Sequence, residues 1–575
     1  MKKKHLFLGF VMLLGMASVH AQSGTTGPLS WNLNNGTLTI SGSGKMPDYD
    51  SYNKAPWKVY SESINHVVIE SGVTGIGNLA FEECLSLHSI NIPNGVTSIG
   101  ILAFSNCQEL SSITIPEGIT GISGGTFIDC SSLASVTLPN SIASIADDAF
   151  KNCSSLTSIT IPSNVNSIGK YAFAYSGLTS VTIPYGIKNI RECTFINCTD
   201  LASVTLPNSV TNIEEGSFAY CNALASIILP DSVTTIATIA FQCCESLKSI
   251  IIPNRVTSIG LNAFQGCYSL ESVTLPNGIT TIEEGVFSRC HALTSITIPG
   301  SVINIGAHAF QDSGLTSFII SDNVSSIGYQ ALHECKSLSS IEVESENRNY
   351  SSIEGVLCDK NKTTLLLFPA GRTGFYTTPS GVTNIGDYAF ASSSLTSITI
   401  SDGVENVGEW CFSNSDLGSI IFSRSVKNIG DLAFGWCFSL TSITNLNPVP
   451  IEITDLVFLG IDKSACTLNV PVESVPDYEA AAVWMEFNIV GIDVGIKENK
   501  PSTVKLFPNP VSNILNIETG SNDILPEVKI YSIQGVLLIN TKGNRIDVSS
   551  LANGFYIAEV NGETFKIVKQ GIQKL

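Results

Sequence analysis

The chain has 575 residues, of which 43% are hydrophobic and only 14% charged, with a net charge of -19. That length exceeds one ordinary core, so several domains or a repeat array are expected, and the apolar content excludes a disordered chain. An acidic surface repels phosphate backbones and so argues against a nucleic-acid partner.

In chain order, residues 1–21 read as an export signal: Lys2, Lys3 and Lys4 precede an apolar run from Leu6 to Ala17, and small residues lead to a cleavage site after Ala21. The run is too short for a stable transmembrane anchor, and no other membrane-length apolar segment follows. Residues 22–63 carry Trp31, Leu33, Leu38, Ile40, Tyr49 and Trp57 between glycine turns, and are expected to form a β-rich N-terminal cap.

From 64 to 446 one phrase repeats. Its phenylalanine recurs at Phe81, Phe104, Phe127, Phe150, Phe173, Phe195, Phe218, Phe241, Phe264, Phe287, Phe310, Phe390, Phe412 and Phe434, with Leu332 in its place once, which makes 15 coils of 22–23 residues. In Leu133-Ala134-Ser135-Val136-Thr137-Leu138-Pro139 the alternation predicts a short strand ended by proline, which lacks the N–H a ladder needs. Ile142 and Ile145 predict a second extended stretch, and Ala149, Phe150 and Cys153 a helical or 3₁₀ turn. A single coil cannot bury its own apolar edge, so the coils are expected to stack into a solenoid, mostly β with short helical turns. The phrase resembles the BspA-type leucine-rich repeat, a bacterial class of 23-residue repeats. The resemblance covers about Ile64 to Asn445 and implies an extracellular protein that binds host or microbial surface and matrix proteins.

Eleven of the 16 cysteines fall at one repeat position: Cys84, Cys107, Cys130, Cys153, Cys198, Cys221, Cys244, Cys267, Cys290, Cys335 and Cys437. Export would suggest disulfides, but parallel inward thiols are poorly aimed at one another, so a ladder of buried free thiols is expected. Shortened coils carry serine there, as at Ser176 and Ser415. Cys193, Cys243, Cys358, Cys411 and Cys466 stand outside this register.

The third strand position is serine in every coil from Ser89 to Ser442, and the fifth is usually threonine, as at Thr205 and Thr274. Flanking an inward Ile or Val, both should face outward as a hydroxyl-rich face. Ile228 and Ile251 replace threonine in adjacent coils, with Lys248 and Glu271 on the edge beside them. An apolar spot on a polar face can mark a contact, so these six residues are the candidate ligand-binding set. Glycan capture by the hydroxyl face is the alternative to protein binding.

An insert near 344–378 reads as a β-hairpin with a polar turn at Asp359-Lys360-Asn361-Lys362. Gly121-Ile122-Ser123-Gly124-Gly125 matches a nucleophile-elbow pattern but lies inside a repeat, and no nucleophile, base and orienting group come together. The reading is therefore a non-enzymatic chain with no cofactor, no catalytic residue and no metal site.

Residues 447–495 read as a C-terminal cap with helical character between Tyr478 and Phe487, and 496–503 as a linker. Residues 504–575 hold seven short alternating strands, predicting a small immunoglobulin-like β-sandwich. Here Phe507-Pro508-Asn509-Pro510, Ile530 to Gly535, Leu551 to Gly554 with Tyr556, and Phe565-Lys566 to Lys569 resemble the type A C-terminal sorting domain of the type IX secretion system. Its motif positions are Pro508, Asn509, Pro510, Gly535, Gly554, Tyr556, Lys566 and Lys569. The resemblance implies Sec export, a partnership with the type IX secretion machinery, removal of this domain, and attachment or release at the outer-membrane exterior.

Overall fold

The structure is a computed structural model that describes residues 22–493, 504–519, 525–533 and 535–570. The export signal and the expected linker lie outside the described residues. The chain divides into two compact units, with the division after Ile492.

In the first unit each coil turns through three sides that stack on those of its neighbours. On the front, Ser135–Thr137 pairs in parallel with Ser112–Thr114, so Val136 lies inward between exposed Ser135 and Thr137. After Pro139 a turn closes through Ile142 N–H to the Pro139 carbonyl (3.2 Å). A second ladder then forms, with Ser144–Ile145 parallel to Gly121–Ile122 on one side and Ser167–Ile168 on the other. Asparagines cross-link this ladder: the Asn212 amide donates to Asn189 Oδ1 (2.8 Å) and Asn428 to Asn406 (2.7 Å).

The phenylalanine-centred side is a pair of tight turns. Lys151 N–H bonds the Asp148 carbonyl (3.2 Å) and Cys153 N–H the Phe150 carbonyl (3.3 Å). Both turns have the i to i−3 spacing of a 3₁₀ helix, yet no helix propagates, because Asp148 (φ 57°) and Asn152 (φ 60°) are left-handed. Asp and Asn tolerate that region better than most residues. The reversal points other amides along the stack, so Phe127 N–H reaches the Ala149 carbonyl (2.9 Å) and Phe150 N–H the Ala172 carbonyl (2.8 Å).

Stacking puts the phenylalanines in one column. Phe150, Phe173 and Phe195 follow at 5.5 and 5.6 Å, nearly parallel, and the column runs unbroken from Phe81 to Phe310. Beside it runs the thiol ladder. All 16 cysteines are free, and all but Cys243 are buried. Each in-register thiol after Cys84 donates to the phenylalanine carbonyl of the preceding coil, as Cys153 does to Phe127 (3.2 Å) and Cys221 to Phe195 (3.2 Å). In shortened coils Ser176 and Ser415 take this place against Cys198 (3.3 Å) and Cys437 (3.5 Å). The off-register thiols have separate settings. Cys193 (φ 53°) and Cys243 (φ 55°) sit at left-handed turn positions, and Cys411 replaces the alanine before Phe412.

At the start of the array three antiparallel strands, Gln22–Thr26, Leu29–Asn34 and Thr37–Gly42, join it through parallel pairing with His66–Ile69. Trp57 is fully buried, stacks on Phe81 at 5.7 Å and donates its indole N–H to the Ala80 carbonyl (2.7 Å). At the other end Thr467–Pro471 and Asn488–Ile492 extend the front ladder. The helical stretch there is an α-helix over Val475–Ala480 and a 3₁₀ turn over Trp484–Glu486. Phe458 continues the column against Phe434 at 5.1 Å.

The insert is more than one hairpin. Tyr350–Ile353 pairs antiparallel with Val356–Asp359 across a left-handed Glu354-Gly355 turn (φ 50° and 77°). Val356–Asp359 pairs antiparallel with Thr364–Leu367, which rejoins the second ladder in parallel with Asn384–Ile385. The expected polar turn is the second of the two reversals. There Asp359 accepts from the Thr363 and Thr364 amides (2.7 and 2.8 Å) and the Thr363 hydroxyl (2.8 Å). Burial raises the Asp359 pKa, but these bonds outweigh it and leave the carboxyl below its ordinary value.

Asn347, fully buried, anchors the insert's entry. Its amide donates to the Ser321 and Val324 carbonyls (2.8 and 2.9 Å), and its oxygen accepts from the Asn349 and Tyr350 amides (2.9 and 2.8 Å). Asn347→Ala takes away a hydrogen bond from four backbone groups, of which the Ser321 carbonyl keeps the Val324 amide and the exposed Asn349 amide can turn to water. It is expected to cost about 2–4 kcal/mol, at roughly 1–3 kcal/mol for each unsatisfied buried group. Urea denaturation reads the loss, and an unchanged midpoint contradicts the assignment.

Among the described residues the second unit has seven strands in two antiparallel sheets, Lys505–Phe507, Ile514–Glu518 and Arg545–Asp547 against Glu527–Ser532, Leu537–Lys542, Gly554–Val560 and Glu563–Lys569. Leu515, Ile517 and Ile546 of one sheet and Val528, Ile530, Ala558, Val560 and Ile567 of the other share a single core, as a small sandwich requires.

Candidate binding face

The front ladder of the array fixes which side chains project together. Parallel in-register pairing places Thr182 beside Thr205 and Ile251 beside Thr274. A bridge between Ser226 and Ser249 sets Ile228 beside Ile251. Thr205, Ile228, Ile251 and Thr274 therefore form one column over four successive coils. The two isoleucines are 85% and 71% exposed, an extent that inward positions of the same strands never approach. Lys248 and Glu271 are exposed on the edge, and Glu271 N–H bonds the Lys248 carbonyl (2.8 Å). The structure thus brings all six sequence-selected residues to one face. Ile319, 57% exposed in a later coil, extends the same column beside Glu342.

The face is interrupted in its hydrogen bonding. Strand pairs form at 112–114 with 135–137, 180–182 with 203–205, 249–251 with 272–274 and 317–320 with 340–343. Beyond the insert the front ladder is a continuous six-stranded sheet from Gly374–Thr377 to Asn488–Ile492. Three-residue strands ended by proline offer few ladder bonds, so the front follows the stack rather than building it.

The Ser123 hydroxyl, the one serine in a nucleophile-like pattern, donates to the Ile99 carbonyl (2.6 Å) and lies half-buried within its coil. Among the described residues no group of three or more His, Cys, Asp or Glu side chains is placed to hold a metal ion. No helix of the described residues is long and apolar enough to cross a membrane.

In the second unit the motif residues form two groups. Asn509, between Pro508 and Pro510, clamps the last strand: its amide donates to the Lys566 carbonyl (2.8 Å), and its oxygen accepts from Val568 N–H (2.8 Å). Gly554 pairs with Lys569 and Tyr556 with Ile567 on the adjoining strand. The Tyr556 hydroxyl donates to the Ala552 carbonyl (2.8 Å), and the Lys566 ammonium lies 4.2 Å from the Phe555 ring centre. Gly535 stands apart in the left-handed turn after Ser532 (φ 79°).

One concavity had no signal in the repeat phrase. It lies where the insert interrupts the turn side, between Tyr329 and Tyr388. The 58-residue spacing from Leu332 to Phe390 was the only trace of it in the sequence.

The family described as BspA type leucine rich repeat region matches residues 59–179, 166–293, 257–356 and 373–478. The secretion system C-terminal sorting domain matches residues 505–574. No curated protein matches the chain. Among solved structures, a leucine-rich repeat protein from Bacteroides ovatus is 23% identical, with 77% of this chain and 98% of that one covered and a TM-score of 0.42. A leucine rich cell surface protein from Faecalibacterium prausnitzii is 22% identical, with 84% and 97% covered and a TM-score of 0.30. A leucine rich repeat protein from T. pallidum is 26% identical, with 35% and 91% covered and a TM-score of 0.27. The pairing of this repeat with a secretion sorting domain is that of a secreted, cell-surface protein. The chain belongs to the BspA-type leucine-rich repeat family and ends in a secretion system sorting domain.

Proposed function

We propose that this protein is a non-enzymatic adhesin, a scaffold that binds host or microbial surface and matrix proteins through the front face of its array. In this reading residues 1–21 direct Sec export, residues 504–575 hand the chain to the type IX machinery and are removed, and residues 22–495 act at the cell exterior. The observation that carries it is the column Thr205, Ile228, Ile251 and Thr274. Two isoleucines project fully where the fold asks only for threonine, and burial of exposed apolar side chains at the centre of a contact is what drives most protein association. Hydroxyls around them satisfy a polar rim without adding charge.

Because both side chains project from the solenoid, Ile228→Glu with Ile251→Glu is expected to leave the melting temperature within about 2 °C, as surface changes do. The same pair is expected to weaken adhesion to immobilised matrix proteins by about tenfold or more, since hot-spot losses reach 2 kcal/mol. Adhesion at the wild-type level by the folded double variant removes this face from consideration. Binding confined to a glycan array transfers the function to carbohydrate.

A further inference from the structure

The turn side of the array is a regular ladder in which each phenylalanine amide bonds the next coil, as Phe310 does to Ala331 (2.8 Å) and Phe390 to Cys411 (2.8 Å). The insert breaks this order. Its strand Thr364–Leu367 runs straight into Phe368, whose amide bonds the Ala389 carbonyl (2.7 Å) and whose ring stacks on Phe390 at 4.8 Å. The turn that precedes the phenylalanine in a regular coil is therefore absent, and the turn at 328–333 faces Tyr388. His333 Nε2 lies 3.2 Å from the Tyr388 carbonyl, and the Tyr329 ring stands edge-on to Tyr388 at 5.2 Å. The space left is a cleft of about 370 Å³ lined by Tyr329, Gln330, His333, Leu366, Leu367 and Tyr388. It is large enough to admit one or two bulky side chains, and its walls are mainly apolar.

The cleft opens onto an acidic row. Asp387, Glu409 and Asp431 occupy the same position in three successive coils, held in register by Glu409 N–H to Asp387 Oδ1 (2.8 Å) and Trp410 N–H to the Asp431 carbonyl (3.1 Å). Earlier in the array Glu192 and Asp147 at this position have cationic neighbours, Lys170 (2.6 Å) and Arg191 (3.7 Å), while Glu215 and Glu284 carry the charge without forming a row of three. Among the described residues Asp387, Glu409 and Asp431 have no ion-pair partner. Behind the row stand Tyr388, Trp410 and Trp436, stacked at 5.7 and 5.6 Å. Their faces cover one another, so they present edges rather than the open platform on which a sugar ring stacks. An apolar cavity beside an unneutralised carboxylate row suits a chain that is apolar at one residue and cationic at its neighbours.

We propose that this cleft is a second binding site, for a basic polypeptide segment that inserts an apolar side chain between Tyr329, Tyr388 and Leu366 and lays Lys or Arg along Asp387, Glu409 and Asp431. The site is independent of the front face.

The test uses the full chain and a fluorescein-labelled decapeptide of alternating arginine and leucine, read by anisotropy. Companion peptides carry glutamate for arginine or alanine for leucine. The arginine–leucine peptide is expected to bind, and both companions to bind at least about tenfold more weakly. Asp387→Asn with Glu409→Gln and Asp431→Asn is expected to weaken binding by about tenfold or more and to reduce its salt dependence. Leu366→Trp, which fills the cleft, is expected to do the same to affinity without changing the salt dependence. Ile228→Glu with Ile251→Glu is expected to leave peptide binding intact, so that failure here and failure of the front face are told apart. Glu214→Gln with Glu215→Gln and Glu245→Gln removes as much charge elsewhere. An equal loss in that chain means the peptide follows net charge alone and overturns the site, as do equal binding of the glutamate peptide, absence of binding, or wild-type affinity in the charge-neutralised chain. If Leu366→Trp lowers the melting temperature, the exposed charge triple and Tyr329→Ala decide the outcome.

Discussion

Raising the pH from 8 to 10.5 is expected to unfold the repeat array. Burial pushes the ladder thiols far above the ordinary value of 9.0, to about 12 at Cys84 and Cys130 and about 11 at Cys198 and Cys335, with Cys107, Cys153, Cys221, Cys244 and Cys267 also well above it. The cause is physical: a thiolate in this column has no water and faces the phenylalanine carbonyl that its proton was bonded to. Folded pKa values lie above unfolded ones, so the unfolded chain binds fewer protons once pH exceeds about 9. The stabilisation is complete below the unfolded pKa and is lost as pH climbs toward the folded one. Each buried thiol forfeits about 1.4 kcal/mol per pH unit in that window. Summed over the ladder the loss is on the order of 10 kcal/mol by pH 10, comparable to the whole net stability of a typical domain.

Circular dichroism against pH checks this, with a thiol reagent reporting accessibility. The reagent is expected to react with the ladder only as the β signal disappears. Cys221→Ser, Cys244→Ser and Cys267→Ser together are expected to lessen the pH dependence between 9 and 10.5 by about a quarter, since three of the eleven ladder thiols are removed. Serine fits because Ser176, Ser313 and Ser415 already occupy that position in shortened coils and contact the next thiol. A pH dependence as steep as the wild type's in the triple variant assigns alkaline unfolding to other groups.

Phe218→Ala is expected to destabilise the array by about 4 kcal/mol, within the 3–5 kcal/mol typical of deleting a buried ring. Phe218 is fully buried and packs between Phe195 at 5.5 Å and Phe241 at 5.4 Å, so its removal leaves a gap bounded by two rigid rings that cannot close on it. Because each coil contacts only its neighbours, the loss is concentrated at that joint, and hydrogen exchange is expected to accelerate around residues 195–241 before the ends. Phe218→Leu is expected to cost less, about 1 kcal/mol, since a volume-preserving apolar exchange is tolerated and Leu332 fills the same column, buried, in this chain. Equal losses in the two variants contradict a packing column.

Much of the molecule was legible in the order of its residues, because a repeat states its contacts many times. One period of 22–23 residues with phenylalanine at a fixed place leaves a single way to bury every copy, and stacking Phe150 under Phe173 and Phe195 follows. Cysteine recurring at one position, with serine where a coil shortens, already distinguished packing from pairing. Outward placement of Ile228 and Ile251 followed from strand alternation alone, and the seven strands of the tail from their own short alternation.

Tertiary structure decided what the period does not encode. The Phe150 turns stop short of a helix because Asp148 and Asn152 reverse the chain, sending amides to the next coil, and that choice is made by stacking rather than by local preference. The insert folds as two reversals rather than one: Asn347 ties its entry to the Ser321 and Val324 carbonyls of the preceding coil, and Asp359 closes the second turn. The cleft beside Tyr388 has a different origin: the insert reaches Phe368 without the turn that precedes the phenylalanine in a regular coil. An absence of that kind leaves no residue to read, and so only the folded chain reveals it.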